Sequence, residues 1–237
     1  MNSRAYKAVA DATFLARMLQ FGDSTFPVGS FSFSCGLESA IQKGVVSDVP
    51  TLRAFALTAV EQTARGDGIA LIAAHRAAMA DDVEALIRID KQVEARKLSE
   101  EMRTMTVRMG KKFVEMSALM TGAPLLLKWR DCIESSATPG CYPVTLAVNF
   151  AVQDMSSLGA FTVHQYGVAA TILGAALRLM RVSHIDTQHI LYELNGRTAF
   201  AYENAAAACL SDMSGYAPLT DILAAVHTKS HVRLFMN

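Results

Sequence analysis

Neither sign of charge is in excess in this chain: 22 Lys and Arg face 22 Asp and Glu over 237 residues, and charged residues make up only 19%. Nucleic acid is bound through a basic field that releases condensed counterions, and a neutral chain offers none. Attachment to an anionic membrane surface loses its basis for the same reason. Cysteine is scarce and scattered. Cys35, Cys132, Cys141 and Cys209 form no C-x-x-C pair, which argues against a disulfide framework or a zinc knuckle and leaves them as small apolar fillers.

A long uninterrupted apolar run is missing too. Residues 132–177 contain no Lys or Arg, and Glu134 and Asp154 are their only carboxylates. Yet the cleanest apolar run inside them, 167–177, is about half of the roughly 20 residues that a spanning helix needs. Buried helices and part of a homodimer surface are expected from this stretch, because charge is depleted in both. Residues 1–16 include Arg4, Lys7 and Asp11 and lack the apolar region of a secretory signal, so a cytoplasmic location is expected.

Proline, the residue most hostile to helices, occurs six times and leaves 51–123 and 144–217 free of it. Both intervals are rich in Ala, Leu, Met, Glu, Lys and Arg, which favour helix. Leu98, Met102, Met105, Met109, Phe113, Met116 and Met120 recur at steps of three and four, predicting a long helix with this stripe in the core. Asp67 and Asp81 are placed as helix N-caps. Residues 158–180 and 186–210 read as two further long helices. The expectation is an all-α, single-domain bundle of about eight to ten helices over residues 1–224, followed by a polar, flexible tail at 225–237 that orders on partner binding.

Signatures of chemistry are absent. The chain has no G-x-x-x-x-G-K-[ST], no H-E-x-x-H and no strand followed by G-x-G-x-x-G, and its G-S-F-S-F at Gly29–Phe33 lacks the second glycine of a nucleophile elbow. His227 and His231 stand four apart, but two ligands do not complete a metal site. No metal, cofactor or catalytic residue is assigned. A helical hydrolase with an unrecognised Ser/His site is the alternative that this leaves open.

One segment stands apart. Residues 23–38 read DSTFPVGSFSFSCGLE, with three phenylalanines in the eight positions from Phe26 to Phe33. Pro27 sets φ, Gly29 and Gly36 permit tight backbone turns, and Ser34 can cap a helix beginning near Gly36. Phe26, Phe31 and Phe33 would anchor the loop, with Phe33 partly exposed to a partner.

This segment resembles the early signature of the UreF family of urease accessory proteins at Asp23, Ser24, Phe26, Pro27, Gly29, Phe31, Ser34, Gly36, Leu37 and Glu38. Arg96, Ser99, Met109 and Gly110 are similar to a family motif in the long middle helix, and Pro218, Asp221, Ile222, His227, Arg233, Leu234 and Phe235 to its C-terminal end. The chain departs from the pattern at Cys141, Ala147, Ser183 and His184. The resemblance implies a non-catalytic, homodimeric chaperone that binds the UreD/UreH accessory protein and the GTPase UreG to deliver nickel to apo-urease. It implies partner-binding roles for Pro27, Gly29, Phe31, Phe33, Ser34, Gly36, Glu38, His227, Arg233, Leu234 and Phe235, the last two as anchors on UreD/UreH.

Overall fold

The computed structural model describes residues 3–215, 217–227 and 234–235. Among them all regular secondary structure is helical, in the order α1 (Ser3–Gly22), α2 (Leu37–Gln42), α3 (Val49–Thr63), α4 (Ile69–Met79), α5 (Val83–Ala95), α6 (Glu100–Thr121), α7 (Pro124–Glu134), α8 (Tyr142–Ala151), α9 (Ser157–Leu179), α10 (His184–Asn195), α11 (Thr198–Ala207) and α12 (Pro218–His227). Prolines sit where helices tolerate them. Pro50, Pro124 and Pro143 occupy first turns, where a missing N–H breaks no helical bond. Ser99 and Ser156 cap α6 and α9 by accepting from the Met102 and Gly159 N–H groups, and Gly122, at φ +61°, ends α6.

Two clusters of buried side chains hold the bundle. One gathers α4–α8 around Trp129, Phe113, Phe150 and Phe161, and the other joins α2, α3 and α10 around Leu37, Leu52 and Ile172. Helix α9 serves both, through Ala160 and Phe161 at one end and Ala169–Ala176 at the other. By length and composition α9 could cross a membrane. Its apolar side chains are used instead as the spine between the two clusters, and α8 is buried from Pro143 to Ala151. The shortage of charge in 132–177 thus follows in large part from burial within the chain itself.

Three expectations are corrected. The methionine stripe is core only at Phe113, with Met116 packed against the same cluster: Met102, Met105 and Met109 are half-buried and line a cavity, while Leu98 and Met120 are exposed. The buried face of α6 is instead Thr106, Gly110, Phe113, Val114, Ser117 and Ala118, because Gly110 lets the helix press against the 140–142 backbone. Asp67 is no N-cap. It lies in a π-helical turn, Ala64–Gly68, that joins α3 to α4 without a break, and Asp82 rather than Asp81 caps α5. The last long helix divides into α10 and α11 at Gly196, where Arg197 pairs with Glu61 and Glu193.

Candidate functional site

The loop between α1 and α2 is held by its own backbone. Asp23 accepts from the Thr25 N–H at 2.7 Å, which lowers its carboxyl pKa. The Phe26 carbonyl accepts from Val28 at 2.7 Å, closing a tight turn on exposed Pro27. Gly29 at φ +80° and Gly36 at φ +82° take left-handed conformations that other residues adopt at a cost. Between them Ser30–Ser32 forms a single 3-10 turn, and Ser34 Oγ accepts a long bond from the Glu38 N–H at 3.4 Å.

The loop's aromatic side chains divide differently from expectation. Phe26 and Phe33 are buried, Phe26 packing on Phe21 and Phe113, whereas Phe31 is 68% exposed. Phe33 is therefore a core residue: the 3-10 turn places positions 31 and 33 on opposite sides of the chain, and only Phe31 presents a ring outward.

The other predicted segment comes to the same place. The Glu38 carboxylate, 2% exposed at the start of α2, accepts from the Leu234 N–H at 2.9 Å and the Phe235 N–H at 3.2 Å. Phe235 is buried and Leu234 is exposed. Arg178, at the end of α9, lies 4.3 Å above the Phe235 ring and donates to the Phe31 carbonyl at 3.0 Å. Phe31, Glu38, Leu234 and Phe235 are thus brought together, and Phe235 is anchored on this chain's own α2 and α9. His227 closes α12, so the expected tail boundary at 224/225 falls inside that helix. Arg233 and His231 lie outside the described residues. Sequence reading did not single out Arg178, although it is the first cation after Arg130 in the chain, a signal that could have drawn attention to it.

Beside the loop lies a cavity of about 590 Å³ whose lining includes Val28, Phe31, Met102, Met105, Met109 and Gly174. At its edge, Asp67 and Lys97 form an ion pair, Nζ lying 2.6 and 2.7 Å from the two carboxylate oxygens. His164 is 4% exposed, stacks on Tyr142, and has its Nε2 at 4.0 Å from Asp67 and its Nδ1 without a hydrogen-bond partner. Burial pushes its pKa down to about 4, opposed by Asp67 and assisted by Lys97, so the ring is neutral at pH 7.

The unfolded chain binds a proton at this position near the ordinary histidine value, and the folded chain does so only near 4. Stability contributed by neutral His164 is therefore fully present above about pH 6.5 and falls as pH drops toward 4, by up to about 3 kcal/mol. Urea melts of the wild type and His164→Gln across this range should show a stability difference that shrinks as pH falls. Parallel curves would refute the burial argument.

The remaining candidates for chemistry are quiet. Cys35 is buried and its thiol is pushed up to about 12 by desolvation, and burial raises Cys141 further. His75 shares its Nε2 with the Met155 carbonyl at 2.7 Å. Among the described residues no group of three or more His, Cys, Asp or Glu is arranged to hold a metal. The positions that depart from the family pattern fit locally: Cys141 and Ala147 are fully buried, Ser183 caps α10 in a box with Asp186, and His184 begins that helix exposed.

The UreF family model matches residues 46–195. A Brucella canis protein, urease accessory protein UreF 2, is 58% identical over 223 residues, covering 94% of this chain and 92% of the relative. A Brucella melitensis protein, urease accessory protein UreF 1, is 57% identical over the same length, and a Yersinia enterocolitica protein, urease accessory protein UreF, is 53% identical over 227 residues, spanning 96% of this chain and 100% of its own.

Proposed function

Because this chain belongs to the UreF family of urease accessory proteins, we propose that it is a non-catalytic assembly chaperone. In this reading a homodimer of the chain binds UreD/UreH and the GTPase UreG in the cytoplasm, and the assembly delivers nickel to apo-urease. The observation that carries the partner-binding part is the exposure of Phe31 on a loop whose other aromatic rings are buried. A rigid frame that presents one large apolar ring to solvent suits protein recognition, since aromatic anchors dominate interface energetics when their ordering cost is already met.

Nucleotide hydrolysis would belong to UreG and the metal would end in urease, so this chain needs no reactive group of its own. The hydrolase alternative gains nothing from His75 and His164: one is bonded to a backbone carbonyl and the other is buried beside an ion pair.

Co-expression with UreD/UreH and UreG, followed by co-purification, tests the proposal. Phe31→Ala is expected to weaken the complex by about tenfold or more while leaving the melting temperature unchanged. Phe33→Ala is expected to do the reverse, costing about 3 kcal/mol of stability through the cavity it opens. A wild-type chain that never co-purifies, or a Phe31→Ala chain that binds at full strength, would overturn the reading.

A further inference from the structure

Two segments nearly 200 residues apart in sequence meet on one side of the molecule, and two charged side chains join them. Glu38 stands in the first turn of α2, directly after the loop, where its N–H donates to Ser34 Oγ, and it holds the backbone of Leu234 and Phe235 through both carboxylate oxygens. Arg178 belongs to neither segment. Its guanidinium donates to the Phe31 carbonyl, covers the Phe235 ring, and is steadied by its Nε bond to the Gly174 carbonyl at 3.2 Å. A planar fork can do all three at once, which an ammonium cannot. The outcome is that two exposed apolar side chains, Phe31 and Leu234, each sit next to a position fixed by this pair.

We propose that Glu38 and Arg178 are positioning residues that make the 26–35 loop and the C-terminal end a single recognition unit, so that neither segment holds its binding geometry without the other. The inference rests on the reading of this surface as partner-facing. The partner chemistry it fits is an apolar pocket that receives Phe31 and Leu234, with no cation required opposite Glu38, whose carboxylate is buried and already accepts from two N–H groups of this chain. Leu234 then contributes to recognition by its exposed side chain, and Phe235 by holding Leu234 in place.

Hydrogen exchange on the full-length chain, combined with co-purification with UreD/UreH, tests this. Arg178→Gln and Glu38→Gln should each speed exchange by about tenfold in both the 26–35 and the 234–237 peptides, reflecting lost charge-assisted bonds. Arg178→Lys should restore part of the loop's protection, since an ammonium can still reach one carbonyl. Phe235→Ala, which leaves Glu38 and Arg178 intact, should loosen the loop as well and provides the test if Glu38→Gln fails to fold. If these variants free the C-terminal peptide while the loop stays protected, the coupling is absent and the proposal falls. If UreD/UreH binding drops although exchange in the loop is unchanged, the proposal also falls while the partner reading stands. If both peptides loosen together and UreD/UreH binds as before, the coupling stands and the partner-facing reading of this surface fails.

Discussion

Gly110→Ala should destabilise the fold by about 3 kcal/mol or more, although Ala is the better helix former by about 1 kcal/mol. A Cβ at position 110 would lie 2.0 Å from the Gly140 carbonyl oxygen and 2.8 Å from both the Cys141 carbonyl carbon and the Tyr142 nitrogen. All three are backbone atoms at the entrance to α8, so no side-chain rotation relieves the clash. Helix α6 must move away from α8, and the contacts of Phe113 and Val114, both buried, move with it. For a chain of this size the loss corresponds to a fall in melting temperature of about 10 °C. Gly167→Ala is the control, because a Cβ there meets nothing within 4 Å, and it should leave stability unchanged or raised. Equal melting temperatures for the two variants would show that the close approach of α6 is not what holds this part of the core.

Asp90→Ala should cost a comparable amount, about 3–5 kcal/mol, by stranding the donors that surround it. Asp90 is fully buried on α5. Its carboxylate accepts from Thr138 Oγ1 at 2.6 Å, from the Gly140 N–H at 2.6 Å and from the Cys141 N–H at 2.8 Å. Burial raises its pKa, while these donors pull the other way by stabilising the charged form. Removing the carboxylate leaves two backbone N–H groups and one hydroxyl buried without partners. Asp90→Asn keeps the volume and one acceptor oxygen but turns an amide donor toward other donors, and an intermediate loss is expected. Urea melts give the free energies, and hydrogen exchange at Gly140 and Cys141 locates the damage. Variants within about 0.5 kcal/mol of the wild type, with those two amides still protected, would show that Asp90 does not anchor the 138–141 segment.

These residues mark where sequence reading ends. Gly110 was noticed for its match to a family pattern, and only the packed structure supplies its reason, a backbone carbonyl within contact distance of its Cα. Asp90 gave no signal at all, because a lone carboxylate on an amphipathic helix reads as a solvated group until the segment that covers it is placed.

By itself, the sequence determined the helical class, the two long intervals free of proline, the existence of a long middle helix, and the 23–38 segment as the part unlike the rest. All of these depend on interactions within a few residues, and local spacing and residue type report them directly. Tertiary structure decided which apolar residues are core. The methionine stripe satisfies helical periodicity as well as the buried face of α6 does, and periodicity alone cannot tell a packed face from one that lines a cavity. It also decided that Phe33 turns inward and Phe31 outward, that Asp67 pairs with Lys97 instead of capping a helix, and that Glu38 and Arg178 meet the end of the chain. Each of these joins groups far apart in sequence, where the side chain's fate is set by whatever the fold brings against it.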